Sequence, residues 1–303
     1  MTSDAALDAP ANPTIGWIGL GGMGMAMATR LVDRGRPVLG WNRSAARAAD
    51  AAAHGVTVTS DISEVAARDI VVSTLPDDEV VRQVLAGDTV LAAMSPGSVH
   101  VNCATISPGL SRDLDGLYRA RGAHYVSAPV FGRSAAAVNG QLTVVAGGDA
   151  EPVDLIRPVL ADLAVSVHAF PEAAQANLVK ILGNYLIAVT ASSLGEVAGV
   201  AESAGVDPGQ LLDVLTERLF SGLIHRAYGE MVVAQRYEPV AFTMRLGKKD
   251  VDLARAQAQQ HAGRLPLGDV IAGALGEGVD GTAADKDWAF VAEWFRTQAG
   301  GSK

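Results

Sequence analysis

Strand, glycine turn, helix and strand succeed one another within residues 14–44, and that order restricts the fold more than any other feature of the chain. TIGWIG is a short apolar run of strand character, GLGGMG follows it, MGMAMATRLVDRG is helix-like as far as Gly35, and RPVLGWNR returns to strand. In the turn, Gly19, Leu20, Gly21, Gly22, Met23 and Gly24 place glycines in G-x-G-x-x-G spacing. A side chain at Gly19 would obstruct the tight turn, one at Gly21 would hold a pyrophosphate off the backbone, and one at Gly24 would push the helix from the strand. The helix that follows opens with N–H groups that lack intrahelical acceptors and can receive phosphate. These residues imply a dinucleotide-binding α/β domain with its cofactor held from Gly19 to Gly24.

The end of the second strand discriminates between the two nicotinamide cofactors. NAD sites place a carboxylate about twenty residues beyond the glycines to receive the ribose hydroxyls, whereas this chain has Trp41, Asn42, Arg43 and Ser44. With no carboxylate to repel a 2′-phosphate, the Arg43 guanidinium can pair with it while Asn42 or Ser44 donates. The cofactor expected is therefore NADP (NADPH).

The alternation continues through GVTVTS, DIVVSTLP and SVHVNCATISP, with helix-like ISEVAAR and DEVVRQVL between them. Residues 70–75 and 99–103 read as buried parallel strands, whose carboxyl ends face the ligand crevice of such sheets. Leu75, Pro76 and Thr105 are thus candidate cofactor neighbours, Thr105 reading equally well as a helix cap ahead of Ser107 and Pro108. HYVSAPVFGRSAAAVNGQLTVVAGG supplies two strand-like pieces around a Gly- and Ala-rich loop, and the sheet extends to about Phe170. Beyond Pro171 the strand signal fades into helical segments at 172–204, 208–219, 223–233, 247–262, 267–276 and 285–298. The expectation is an α/β protein with a dinucleotide-binding domain over residues 12–171 and an all-helical substrate and dimerisation domain over residues 172–303.

Composition excludes several other classes. A formal charge of -9 with scattered Lys and Arg argues against a basic face for nucleic acid or anionic membrane. The one cysteine, Cys103, rules out an internal disulfide and reads as a buried strand residue, and no metal site is signalled. The acidic lead MTSDAALDAPANP has neither the basic flank nor the apolar stretch of a signal peptide and reads as a short disordered segment. No window reaches the unbroken apolar length of a bilayer span, so a soluble, cytoplasmic protein is expected.

Residues 174–186, AQANLVKILGNYL, raise a different question. Lys180 and Asn184 stand at i and i+4 and share a helix face, while Leu178, Leu182, Tyr185, Leu186 and Val189 suit burial. The residues alone fit either a snorkelling lysine beside a solvent asparagine or a chemical centre.

Four motifs in order settle that choice by resemblance: GLGGMGMAMATRL, APVFGRSAAAVNGQLTVVAGG, NLVKILGNYL and LGKKDVDLA. Together they span nearly all of the chain beyond the lead, and the chain resembles the β-hydroxyacid dehydrogenase family, which includes 3-hydroxyisobutyrate dehydrogenases and glyoxylate or succinic semialdehyde reductases. The resemblance implies an N-terminal Rossmann domain, an all-helical second domain joined to it by a long interdomain helix, assembly as a dimer or tetramer, of which a homodimer is expected here, and a small-molecule carbonyl or hydroxy substrate. It implies Lys180 as the catalytic lysine and Asn184 as the asparagine that helps hold substrate. Thr105 falls where a Ser or Thr approaches the nicotinamide, and Lys249 at a lysine near the same ring, with Asp250 beside it. Asp285, Asp287 and Trp288 resemble a closing D-x-D-W segment near the cleft.

One departure bears on specificity. The family's substrate loop usually reads D-A-P-V-S-G-G, where this chain has Ser127, Ala128, Pro129, Val130, Phe131, Gly132 and Arg133. Phe131 removes a hydroxyl donor and adds bulk, and Arg133 restores anion recognition if it turns inward. Val130, Phe131, Gly132, Arg133 and Asp250 are expected at the substrate, a carbonyl or hydroxy compound bulkier than the usual small β-hydroxyacid. The alternatives are an imine reductase-like activity, to which the family is distantly similar, and a non-catalytic NADP-binding protein.

Overall fold

In the computed structural model, which describes residues 13–301, strands and helices alternate through the first half of the chain. They are β1 (Ile15–Ile18), α1 (Gly22–Asp33), β2 (Val38–Trp41), α2 (Ala45–Ala53), β3 (Thr57–Val58), α3 (Ile62–Ala66), β4 (Ile70–Ser73), α4 (Asp78–Leu85), α5 (Asp88–Ala93), β5 (Val99–Asn102), α6 (Pro108–Arg119), β6 (His124–Ser127), β7 (Val130–Phe131), α7 (Ser134–Val138), β8 (Leu142–Gly147), α8 (Ala150–Leu163) and β9 (Ala164–Phe170). Helices follow: α9 (Ala173–Ser203), α10 (Pro208–Glu217), α11 (Leu223–Val233), α12 (Met244–Gln260), α13 (Pro266–Asp280), a 3-10 turn (Trp288–Phe290) and α14 (Val291–Gln298). The acidic lead and the expected domain start at residue 12 lie outside the described residues.

The sheet runs β3-β2-β1-β4-β5-β6-β8-β7, with β9 on the other side of β8. Its first six strands are all parallel, Ile15 pairing with Val38 on one side and Ile70 on the other. That order reverses direction between β1 and β4, the point at which a doubly wound sheet opens a crevice at its carboxyl edge. β8 is antiparallel to β7 and to the tip of β6, and parallel to β9. Successive strand residues point to opposite faces. Trp17, Val72 and Val126 enter a core with Met27, Leu31 and Ile156, while Ile18, Val71 and Tyr125 enter the other with Leu85, Leu110 and Leu114. Every residue of β1, β4 and β5 is consequently buried. The Gly- and Ala-rich loop expected before β8 contains a helix, α7, packed on α1.

Two compact units meet in sequence between Lys180 and Ile181, inside α9 rather than at its start. The first turns of α9 belong to the sheet unit because Ala173 joins the core and Asn177 is hydrogen-bonded beneath the strand ends. The buried residues of α9 are also not the expected ones. Ala174, Ala176, Asn177, Ile181, Asn184, Ala188 and Ala191 are buried, whereas Leu182 and Leu186 are exposed and Leu178, Tyr185 and Val189 half-buried. A second expectation needs correction here. At 31 residues, α9 is long and apolar enough to cross a membrane by length and composition alone. It holds no unbroken apolar run of that length, because Asn177, Lys180, Asn184 and Glu196 interrupt it.

The second unit is helical, with a core of Tyr228, Met244, Val251, Ile271, Leu275, Trp288 and Phe295. The Trp288 indole donates to the Tyr228 hydroxyl at 2.8 Å, and fully buried Asp287 accepts from the N–H groups of Ala241 and Ala289. Asp287 and Trp288 therefore hold the helices of this unit to one another and leave no polar atom of the aspartate to a cleft.

Candidate active site

The glycine turn is fixed by contacts that leave no room for side chains at two of its three key positions. Gly19 adopts φ +94, and a Cβ there would lie 2.4 Å from the Thr74 carbonyl; at Gly24 it would lie 2.1 Å from the Gly19 carbonyl and 2.2 Å from Thr74 Oγ1. Gly21, at the N-cap of α1, is different. A Cβ built on it meets nothing within 4 Å, so the start of α1, whose first N–H groups lack intrahelical acceptors, is open at this residue. Two side chains brace the turn. The Thr74 hydroxyl donates to the Gly19 carbonyl at 2.6 Å, and Asn42 Oδ1 accepts from the Leu20 N–H at 2.9 Å.

A groove of about 520 Å³ opens beside this turn. Gly19, Gly21, Asn42, Arg43, Ser44, Leu75 and Pro76 line it, which gathers most of the expected cofactor contacts at one place. Arg43 and Ser44 are exposed. The structure refines the parts these residues play. Of the two residues expected to donate to a phosphate, Asn42 or Ser44, Asn42 also braces the turn, its amide donating to the Ser44 carbonyl at 3.2 Å. The Leu20 side chain is fully buried in the core and shapes the turn from behind; Gly24 is buried where the helix packs close to the strand, as expected of it, Met23 is half-buried against the same core and Gly22 is exposed at the start of α1. Thr105 is half-buried just past β5, and the cap of α6 is Ser107, whose hydroxyl accepts from the Leu110 N–H with Pro108 in the first turn.

Lys180 is set by a polar network under the same carboxyl edge. Asn177, one turn earlier on α9, accepts from the Ile106 N–H at 3.2 Å and donates to Ser127 Oγ at 2.8 Å, and Ser127 exchanges a 2.7 Å hydrogen bond with Ser111. All three polar residues are fully buried. Each such bond contributes about 1 kcal/mol, and an unpaired partner would cost more. Ser127, where the family usually carries an acid, is thus a neutral member of a satisfied buried network rather than a substrate contact. The half-buried Lys180 then places Nζ 4.2 Å from the centroid of the Phe131 ring, on the short strand that follows β6. Val130, expected at the substrate, instead sends its side chain into the core. Gly132 follows in a left-handed conformation at φ +128, which turns the chain into α7, and half-buried Arg133 occupies the N-cap of that short helix.

In the helical unit, Asn184 donates to Asp250 Oδ2 at 2.5 Å and Lys249 Nζ lies 3.0 Å from Asp250 Oδ1. Asp250 is fully buried, so it holds Asn184 and Lys249 in place and does not present its carboxylate to a substrate as expected.

Sequence reasoning missed Thr74, Asn177 and the polar groove residues Gln83 and Thr89. The signal for Thr74 was available, because it directly follows β4 at the carboxyl edge. It also missed His100. Burial depresses that imidazole to about 3, so it is neutral, hydrogen-bonded to Ser73 and to Tyr118 at 2.9 Å each. Asn102 joins the cluster by donating to the Tyr125 hydroxyl at 2.9 Å. Cys103 is buried, which pushes its thiol up to about 12 and leaves it inert as a nucleophile at neutral pH. Among the described residues no cluster of His, Cys, Asp and Glu could hold a metal ion.

Comparison with known proteins agrees with this geometry. Residues 14–170 match the family model for the NAD-binding domain of 6-phosphogluconate dehydrogenase, and residues 174–295 that for the NAD-binding region of NADP-dependent 3-hydroxyisobutyrate dehydrogenase. The uncharacterized oxidoreductase YfjR of Bacillus subtilis is 31% identical over 276 residues, 90% of this chain and 96% of its own. Among solved structures, Mycobacterium tuberculosis 3-hydroxyisobutyrate dehydrogenase with L-serine has a TM-score of 0.85 at 29% identity, over 94% of this chain and 99% of its own. Psf3 in complex with NADP+ and 2-OPP has the same TM-score at 25% identity, over 92% and 99%. With a Rossmann sheet, a helical second unit and matches over both, the chain belongs to the β-hydroxyacid dehydrogenase family and is an NAD(P)-dependent oxidoreductase.

Proposed function

We propose that this oxidoreductase uses NADPH to reduce a carbonyl compound whose reacting end is flanked by apolar bulk rather than by a carboxylate. The observation that carries this reading is the Phe131 ring beside Lys180 Nζ, at 4.2 Å. A small carboxylated substrate at that position would find an aromatic face in place of a hydroxyl. The cofactor assignment draws support from Arg43 and Ser44 at the groove and from its described lining residues, none of which is acidic.

When bound, NADPH supplies hydride, two electrons and the hydrogen, to the carbonyl carbon. Lys180 in its ammonium form donates a proton to the oxygen as negative charge develops there, becomes the neutral amine, and regains its proton from water. In the reverse direction the neutral amine accepts the alcohol proton. Asn184, one turn along α9 on the same face, orients the reacting oxygen with an amide that Asp250 fixes. The N–H groups beyond Gly21 would hold the pyrophosphate of the cofactor, and Arg43 its 2′-phosphate.

The test is NADPH oxidation with succinic semialdehyde, phenylacetaldehyde and a cyclic imine, with NADH run in parallel. Faster turnover of phenylacetaldehyde with NADPH is expected. Preference for the carboxylated aldehyde would overturn the reading of Phe131, and preference for the imine would transfer the function to the imine reductase-like alternative. The reading also takes the protein as a cytoplasmic homodimer, with a second copy covering exposed Leu186, Val200, Val206 and Val214. Light scattering at the 31.2 kDa of one chain, or recovery of the intact chain in the membrane fraction, would count against it.

A further inference from the structure

The contact between Lys180 and Phe131 has a consequence beyond substrate size. An ammonium over the face of an aromatic ring is attracted by the negative face of the ring's quadrupole, and the attraction is directional. Phe131 is well placed to exert it. Its backbone is pinned by the pairing of β7 with β8, Phe131 opposite Thr143, and by Gly132, where a Cβ would come 2.7 Å from Leu142. The lysine side is pinned as well, because Asn177 ties the preceding turn of α9 to Ser127 and to the Ile106 N–H. Ser127 and Phe131 lie four residues apart on one segment. The same short stretch of chain thus fixes the backbone that carries the ammonium and supplies the ring beneath it.

We infer that Phe131 is a positioning residue for Lys180, its ring face holding the ammonium at the carboxyl edge of the sheet. The inference rests on the proposed role of Lys180. A four-carbon stem has many rotamers, and a ring that selects among them raises the fraction of molecules ready for proton transfer. Phe131 takes no part in the chemistry itself, so its removal lowers turnover without loosening the nucleotide. Replacing the face by an aliphatic side chain should cost roughly 10-fold in kcat.

The experiment measures kcat with the better of succinic semialdehyde and phenylacetaldehyde, together with NADPH Kd and Tm. It compares the wild type, Phe131→Leu, Phe131→Trp and Lys180→Ala with a series carrying mono-, di- and trifluorinated phenylalanine at 131. Fluorine weakens the ring's negative face with little change in its shape. The expected result is a stepwise fall in kcat along the fluorinated series, a fall of about 10-fold in Phe131→Leu and near-retention in Phe131→Trp, with NADPH Kd unchanged. A flat fluorinated series alongside an inactive Lys180→Ala would overturn the positioning role and leave the lysine's role standing. Full activity in Lys180→Ala would remove both.

Discussion

At the carboxyl end of β1 the chain turns through residues 19–24, and past the carboxyl end of β6 it turns through residues 127–133. Both turns lie on one edge of one sheet, and both are braced by hydroxyl and amide groups, the half-buried Thr74 and Asn42 for the first and the fully buried Ser111 and Asn177 for the second. They differ in what they leave exposed. The first presents backbone, with Gly21 open and any Cβ at Gly19 or Gly24 excluded by carbonyl oxygens. The second presents side chains, Phe131 toward Lys180 and the half-buried Arg133 beyond it. A pyrophosphate is the same in every nicotinamide cofactor and is met by a geometry that tolerates little change. A substrate varies, and side chains on a fixed backbone can follow it.

The comparison is tested most severely at Lys180. Lys180→Ala should lower kcat by roughly 10²-fold or more, because the ammonium's interaction grows as charge develops on oxygen, while NADPH Kd stays near its wild-type value. Stopped-flow reduction and fluorescence titration of NADPH separate the two quantities. Equal losses in both would mean that the side-chain turn also serves the cofactor.

Two glycine variants divide the first turn. Gly24→Ala forces a methyl against the Gly19 carbonyl and Thr74 Oγ1 and should destabilise the protein by about 1–3 kcal/mol, read from thermal or urea unfolding. Gly21→Ala meets no protein atom, so its stability cost should stay below about 1 kcal/mol while NADPH Kd rises. An unchanged Kd in Gly21→Ala would show that phosphate does not approach this backbone.

The two turns also share a foundation, and acid should loosen them together. His100 contacts Ser73, which precedes Thr74, and Tyr118; Tyr125 is hydrogen-bonded to Asn102 and Ser127. The folded imidazole titrates at about 3 and the unfolded one at 6.5. Below 6.5 the unfolded chain binds the proton that the folded chain refuses, so stability is intact above 6.5, falls as pH drops, and levels off below about 3. The slope from this group is about 1.4 kcal/mol per pH unit. His100→Gln keeps hydrogen bonding without a titrating ring and should flatten the urea-unfolding stability profile over that window relative to the wild type.

What the sequence revealed follows the same division. The strand order and the glycine turn were legible because they answer to backbone sterics, which leave a period and a spacing in the residue string. The Ser127 substitution was legible as a departure but not in its meaning, since its partners Ser111 and Asn177 are 16 and 50 residues away and only the folded chain joins them. Position in sequence leaves Asn42 or Ser44 as the phosphate donor and cannot show that Asn42 accepts from the Leu20 N–H and gives an amide hydrogen to the Ser44 carbonyl. By hydrophobicity alone Leu182 and Leu186 suit burial. Their exposure reflects a helix whose inner stripe is built from alanine and asparagine, residues whose small size or hydrogen bonding suits close approach.

The smallest expected effect falls on the part of the cofactor site that is made of side chains. Arg43 is exposed, so solvent and salt screen its attraction to a 2′-phosphate, and Arg43→Ala should raise NADPH Kd by only about 10-fold, less at high salt, while leaving NADH within about 2-fold. A sharper variant is Asn42→Asp. The carboxylate keeps an acceptor for the Leu20 N–H, so the turn should survive, but it loses the amide that donates to the Ser44 carbonyl and brings negative charge to the end of β2. Cofactor preference should move toward NADH with little change in Tm. If preference is unmoved by either substitution, discrimination does not arise at the end of β2. The division between a backbone turn for the shared pyrophosphate and side chains for what distinguishes one ligand from another would then fail at the cofactor and hold only at the substrate.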